Sequence, residues 1–360
     1  MHTSQSNAGH SSAAHSNAGY GSVEEAYLSE LRETFRSPSF FNAPRGFPSR
    51  ERLGVSFTVR DPVRRQVALA RRRSNLVFNF AEALWYLSGS ASLDFIAHYA
   101  PGIRKYSADG VRLTGTAYGP RIFRYPGGGS GPHLDQWRTV RDVLAEDPDS
   151  KRAVIQIFDP AELREPGNID VACTLSLQFL IREGKLHGVG SMRANDAYRG
   201  MVSDIFSFTF LQELLARELS LDVGTYVHQV GSLHVYDSDL RQVTAVLAEA
   251  ERRPAPPDEP FPAMPPGDNW PHVREVLALE AGLRADALRL GADDVRALPL
   301  PRYWQDVVAL LELHRRLTYG TAVGDSLPSR LPPLYRRMMS NRWPGSTALA
   351  AASPAPEVIR

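Results

Sequence analysis

Apolar residues recur at helical spacing from Val23 onward. In VEEAYLSELRETF, the residues Ala26, Leu28, Leu31 and Phe35 fall on one face and predict a helix. GVSFTVRDP alternates apolar and polar positions and predicts a strand. NLVFNFAEALWYLSG predicts an apolar helix that ends before Gly89. RAVIQIFDP predicts a strand stopped by Asp159-Pro160. LSLQFLIREGKLHGVGSMRAND predicts two strands around a turn at Glu183-Gly184. DIFSFTFLQELLARELSL predicts a long, largely buried helix, and GTYVHQVGSLHVY another strand. VREVLALEAGLRADAL and YWQDVVALLELHRRL predict two further helices. Strands and helices interleave without a regular βαβ rhythm, which favours an α+β fold over a doubly wound sheet.

The flanks lack such periodicity. Residues 1–22 are Ser, Ala, Asn, Gly and His with little to bury, and predict a disordered tail. Residues 346–360 are Ala/Ser/Pro-rich and predict a flexible one. The expected organisation is one domain over 23–345, with a Pro-rich connector at 252–266 and a helical C-terminal part at 267–345.

Composition narrows the function classes. With 43% hydrophobic and 22% charged residues the chain is ordinary globular material. A net charge of +1 gives no field for polymeric nucleic acid. No segment has the apolar length of a membrane helix, and the amino terminus lacks a secretory pattern, so a cytoplasmic protein without membrane contact is expected. Cys173 is the single cysteine, so no intrachain disulfide exists and a reducing compartment is the default. The histidines of the tail fit a solvated segment better than a metal site, and no metal is expected. No Gly-rich dinucleotide fingerprint or phosphate-loop signature occurs.

Cys173 is the candidate nucleophile. A lone cysteine usually packs. This one opens a strand after the loop REPGNIDVA in an Arg-rich stretch, and a cationic pocket lowers a thiol pKa. Residues 171–240 then carry Arg193 with Asp196 and Gly200 as Arg-x-x-Asp-x-x-x-Gly, a buried helix, and His234 with Tyr236 as His-x-Tyr. Upstream lie SKRAVIQIFDP, AEALWYLSG and GTAYGPRI. In this order and spacing, from about Arg50 to Leu240, the chain resembles the thymidylate synthase family.

That resemblance implies an α+β fold with a mixed sheet, packed helices and a homodimer across the sheet. It implies that the Cys173 thiolate adds to C6 of a pyrimidine nucleotide and makes C5 nucleophilic. Arg193 would bind phosphate and favour the thiolate. Lys151 and Arg152 would reach the same phosphate from the second subunit, giving shared active sites. Arg50 would be a phosphate ligand from a mobile loop, with Arg52 as alternative. His234 and Tyr236 would bind the sugar hydroxyl. Glu82 and Tyr118 would handle proton transfers and water. Asp196, with Gly200 in its motif, would bind the pterin of 5,10-methylenetetrahydrofolate, the co-substrate. Taken singly, each of these residues has an ordinary structural reading as an ion-pair partner or a packed side chain.

Departures from the family pattern point to the substrate. Asp204 stands where the synthases carry the Asn that reads the base; its alternative reading is a helix N-cap. Cytosine offers N4–H2 as donor and N3 as acceptor, which suits a carboxylate with a shared proton, whereas uracil sets O4 against it. Asp here resembles the cytidylate hydroxymethylase branch, in which water adds to the transferred methylene instead of hydride. The closing tail of synthases is not visible in SPAPEVIR, and Thr174 replaces the usual His. Lys151 replaces a usual Arg and Ala194 a usual Ser, which loosens the sugar-phosphate pocket toward a ribose. With both changes the chain resembles most the CMP hydroxymethylases of nucleoside-antibiotic biosynthesis, of mildiomycin type. The expected reaction joins CMP, 5,10-methylenetetrahydrofolate and water to give 5-hydroxymethyl-CMP. The alternatives are dCMP hydroxymethylation, thymidylate synthesis and a non-catalytic nucleotide-binding regulator.

Overall fold

A computed structural model describes residues 19–126, 133–253, 259–320 and 326–346. The tails expected at 1–22 and 346–360 fall almost wholly outside the described residues, as does the centre of the connector at 252–266.

Helix α1 (Val23–Arg36) starts at Ser22, whose hydroxyl accepts from the amide of Glu25, with Glu24 and Glu25 in the positive first turn. Strands β1 (Phe40–Asn42) and β2 (Ser49–Val59) form an antiparallel pair. Helix α2 (Leu76–Leu87) is capped by Asn75 and buried almost all round. After it come α3 (Leu93–Tyr99), α4 (Tyr118–Phe123) and α5 (Gln136–Glu146), capped by Ser92 and Asp135 in the first and last case. Strands β3 (Val154–Gln156), β4 (Thr174–Arg182) and β5 (Lys185–Asp196) follow. The β4–β5 turn lies where expected, with Glu183 at φ 52° and Gly184 at φ 71°. Helix α6 (Met201–Glu218) then crosses to β6 (Asp222–Tyr236).

The sheet runs β1-β2-β6-β5-β4-β3. Only β5 and β6 pair in parallel; the other neighbours are antiparallel. A parallel pair needs a crossover, and α6 supplies it. The expected strand in RAVIQIFDP shrinks to three residues, because the chain past Gln156 leaves the sheet for the Asp159-capped turn.

One sheet face is covered by α6 and α1, with α2 packed on α6, and presents Phe57, Leu177, Phe179, Met192, Tyr226 and Val230 to the core. The opposite face, including Ser176, Gln178, Ser191 and Gln229, stays open or half-open. Helices α7 (Leu240–Arg252), α8 (Trp270–Arg284), α9 (Ala292–Ala297), α10 (Arg302–Tyr319), α11 (Leu327–Arg330) and α12 (Pro333–Arg342) complete the chain. The C-terminal helices pack behind α2: the Phe80 ring lies 5.1 Å from Phe206 of α6 and 5.9 Å from Tyr335 of α12. No helix of the described residues is long and apolar enough to cross a membrane.

Candidate active site

Cys173 lies one residue ahead of β4, at the end of a loop held from two sides. Asp170 accepts from the amides of Thr114, Gly115 and Thr116 at 2.7, 3.0 and 2.8 Å. A Cβ on Gly115 would stand 2.0 Å from the Asp170 carbonyl oxygen, so only glycine permits this approach. The amide of Ala172 donates to Glu162 at 2.8 Å, and Arg121 of α4 holds Glu162 and Asp159 at 2.7 and 2.6 Å. The loop that carries the thiol is thereby fastened to the loop that leads into Tyr118.

Arg193, near the end of β5, donates to the carbonyls of Ala172 and Val171, both at 2.9 Å, and reaches Cys173 Sγ at 3.7 Å. The remainder of its guanidinium is open to solvent. The arginine-rich surroundings suggested a lowered thiol pKa. The structure reverses this: burial pushes the Cys173 thiol up, Arg193 pulls it down less, and Asp204 and Asp170 add to the rise.

Behind the thiol stand two carboxylates that face no cation directly. Glu82 of α2 accepts from Ser207 at 2.9 Å, and burial first, then the charge of Asp204, pushes its pKa up to about 8. Asp204 accepts from Asn195 Nδ2 at 2.7 Å, and burial followed by the charge of Asp196 raises its pKa to about 7, against the pull of Asn195. The N-cap of α6 is Gly200, and Asp204 sits one turn inside the helix, so the N-cap reading of Asp204 falls. A Cβ at Gly200 would stand 3.0 Å from Asp204 Oδ2 and 3.3 Å from Asn195 Nδ2. Tyr118 stacks on Tyr86 at 4.8 Å and its hydroxyl accepts from Thr174 Oγ1 at 3.0 Å. Burial, then Asp204 and Cys173, raise its pKa well above the ordinary value. Cys173, Glu82, Tyr118 and Asp204, separated by up to 122 positions, thus form one electrostatic group.

Sequence reading missed the polar chain behind Asp204. Tyr226 Oη lies 2.9 Å from His228 Nδ1, and His228 Nε2 lies 3.0 Å from Asn195 Oδ1. Its only sequence signal is that three polar groups fall on the covered side of β5 and β6.

At the strand ends, Asp196 pairs in register with His234, whose ring lies 5.1 Å from that of Tyr236. Asp196 Oδ1 accepts from the amides of Tyr198 and Arg199 at 2.9 and 2.8 Å. Its Oδ2 makes no hydrogen bond among the described residues and is free to accept one from a ligand. Ala194 lies half-buried on β5 opposite Ser232. Lys151 and Arg152 stand exposed ahead of β3, with no carboxylate partner among the described residues and no contact that joins them to Cys173.

Arg50 was the expected phosphate ligand from this part of the chain, with Arg52 as the alternative. Arg50 lies on β2, donates to Phe35 O at 3.0 Å and stands 3.7 Å from Asp237. Arg52 is paired with Glu30 at 2.7 Å. The arginine from this part of the chain whose charge reaches Cys173 is Arg45, exposed and at φ 53° in the short turn Pro44–Gly46. The Pro-Arg-Gly triplet, a turn signal, was the available cue.

Comparison with known proteins gives a family and two relatives. The family model for thymidylate synthase matches residues 54–258. A deoxyuridylate hydroxymethyltransferase of Bacillus phage SP01 is 31% identical over 230 residues, covering 60% of this chain and 60% of that protein. A deoxyuridylate hydroxymethyltransferase of Delftia phage PhiW-14 is 33% identical over 205 residues, covering 54% of this chain and 55% of its own length. The chain therefore spans little more than half the length of these relatives.

Proposed function

This chain belongs to the thymidylate synthase family, and from that premise we propose that it is a folate-dependent hydroxymethyltransferase acting on C5 of CMP through a covalent adduct at Cys173. The observation that carries the reading is Asp204, a carboxylate with pKa raised to about 7 that acts electrostatically on Cys173, Glu82 and Tyr118. At neutral pH it is part protonated, so it can offer one oxygen as donor to N3 of cytosine and the other as acceptor to N4–H2.

The mechanism follows from the groups present. The Cys173 thiolate adds to C6, and the electron pair moves to C5. Nucleotide phosphate would lie against Arg193 and Arg45, with Lys151 and Arg152 supplied by a second subunit. 5,10-Methylenetetrahydrofolate supplies the one-carbon unit that bonds to C5 and leaves as tetrahydrofolate. The free Oδ2 of Asp196 suits an N–H of the pterin. Tyr118 takes part in removing the C5 proton. Glu82, with a pKa of about 8, still holds its proton at pH 7 and can deliver it. Water then adds to the exocyclic carbon, and the C6–Sγ bond breaks to return the thiolate. The half-open sheet face and the unpartnered Lys151 and Arg152 support a homodimer with shared sites.

A second reading is favoured by the two phage relatives, whose names specify deoxyuridylate. Incubation with folate and CMP, dCMP or dUMP separates the two. Hydroxymethyl product from CMP is expected; product from dUMP alone overturns the cytosine reading, and product from dCMP alone overturns the ribose. Asp204→Asn should move the cytosine-to-uracil ratio of kcat/KM toward uracil by about tenfold, because the amide can donate to O4 and accept from N3–H, which the ionised carboxylate cannot do. An unchanged ratio removes Asp204 from base recognition.

A further inference from the structure

Asp204 does not stand alone. His228 is completely buried on β6, and burial lowers its pKa to about 3, so the ring is neutral. The buried Tyr226 hydroxyl has His228 Nδ1, at 2.9 Å, as its one acceptor among the described residues, so Nδ1 accepts the phenol proton and Nε2 carries the ring hydrogen. Nε2–H then donates to the Asn195 oxygen at 3.0 Å. With its oxygen on His228, the Asn195 amide turns Nδ2 to Asp204 Oδ2 at 2.7 Å. All three hydrogen bonds run one way, from Tyr226 through His228 and Asn195 to Asp204. The reverse order would leave the buried phenol proton without an acceptor among the described residues.

A protonated carboxyl has one donor oxygen and one acceptor oxygen, and cytosine and uracil demand opposite orders of the two. We propose that His228 and Asn195 are positioning residues for base selection: by making Asp204 Oδ2 an acceptor they confine the proton to Oδ1, so that the pocket presents Oδ1–H to ring N3 and Oδ2 to the 4-amino group. This rests on the reading of Asp204 as the base-recognising residue and adds the device that sets its polarity. The charged and titratable groups around Asp204 leave that order intact. Glu82 of α2 and Asp196 of β5 are anionic or neutral, Tyr86, Tyr118, Tyr226 and Cys173 are neutral acids with raised pKa values, and no cation touches Asp204 among the described residues. Without the chain, the Asn195 amide is free to turn its oxygen toward Asp204. The proton can then lie on Oδ2, within reach of uracil O4, and Oδ1 becomes the acceptor that uracil N3–H requires.

The test compares kcat/KM for CMP and UMP in wild type, His228→Phe with Tyr226→Phe, His228→Gln, Asn195→Ser and Asp204→Asn, each checked for a cooperative melt. The Phe pair removes the donor without stranding the phenol. It should lower the cytosine-to-uracil ratio about tenfold, as should Asn195→Ser, while Gln, whose amide N–H can replace Nε2–H, should restore most of it. Independently, nitrogen NMR of the wild-type protein should show His228 as the Nε2–H tautomer. A folded Phe pair and Asn195→Ser that keep the wild-type ratio overturn the proposal, as does the Nδ1–H tautomer. If Asp204→Asn shifts the ratio but these do not, Asp204 still reads the base and only the positioning chain falls. If Asp204→Asn also fails to shift it, the base reading itself is lost.

Discussion

The two carboxyls behind the thiol, Glu82 and Asp204, and the buried carboxylates of the C-terminal helices are treated in opposite ways. On α10, Glu312 is held by Arg315 at 2.8 and 2.9 Å and by Arg316 at 2.6 Å. Glu280 of α8 has Arg284 at 2.9 Å, and Asp306 has Arg302 at 2.8 Å. Around Cys173, Glu82 touches the Ser207 hydroxyl and Asp204 the Asn195 amide, with no cation at either. A carboxylate buried beside arginine is a structural charge whose removal strands its partner. A carboxyl buried beside neutral donors costs stability in its ionised form and keeps a proton at neutral pH, which is what proton transfer requires. The contrast separates scaffold from site without reference to substrate.

The strongest way to sharpen this contrast is at the thiol. Cys173→Ser should lower turnover by at least about three orders of magnitude while the melt and nucleotide binding stay near wild type, since a serine alkoxide is scarcely formed at neutral pH. Appreciable turnover in the variant breaks the covalent scheme. Next comes the exchange of two buried glutamates for glutamine. Glu312→Gln should cost about 3–5 kcal/mol, because it removes the buried carboxylate that pairs with both Arg315 and Arg316. Glu82→Gln should cost little and instead lower kcat by roughly two orders of magnitude. Chemical denaturation and steady-state rates decide it, and equal destabilisation by both variants would erase the distinction.

A smaller effect lies in pH. The Glu82 pKa rises from 4.5 in the unfolded chain to about 8 when folded, so between those values the folded state binds the extra proton. Its contribution to stability is therefore lost as pH rises through that window, by at most about 1.4 kcal/mol per pH unit. The difference between wild type and Glu82→Gln isolates it. His228 and His314, both lowered to about 3, act in the other direction below pH 6.5. A difference that stays flat from pH 5 to 8 would show that Glu82 is not held neutral. The smallest effect is at the sugar: Lys151→Arg with Ala194→Ser should raise dCMP turnover relative to CMP, each change contributing a few-fold, or about 1 kcal/mol. A wild type that already prefers dCMP removes the ribose assignment alone.

The contrast also marks what could be read in the chain. Long periodic stretches such as α1, α2 and β4–β5 lie where the pattern of apolar positions put them, because burial of one face dictates both. The motif residues Cys173, Arg193 and Asp196 were legible because they lie close together in sequence. Asn195, His228, Asp170 and Arg45 were not, since each matters only through a partner brought up by the fold. The strand of RAVIQIFDP was overextended, as apolar composition alone does not show where a sheet edge ends. The N-cap reading of Asp204 failed because helix starts are set by backbone geometry, and Gly200 takes that place.

Asp170 bears on how such a protein can vary. Three amides from one loop converge on one side chain from another, and glycine alone permits the approach. Insertions or deletions in 113–118 would displace the nucleophile as well as Tyr118, and changes in 166–172 would do the same in reverse. The two loops are one inherited part. A graft between relatives should succeed only when both are exchanged together, and a swap of either alone should misplace a group some fifty residues away in the chain.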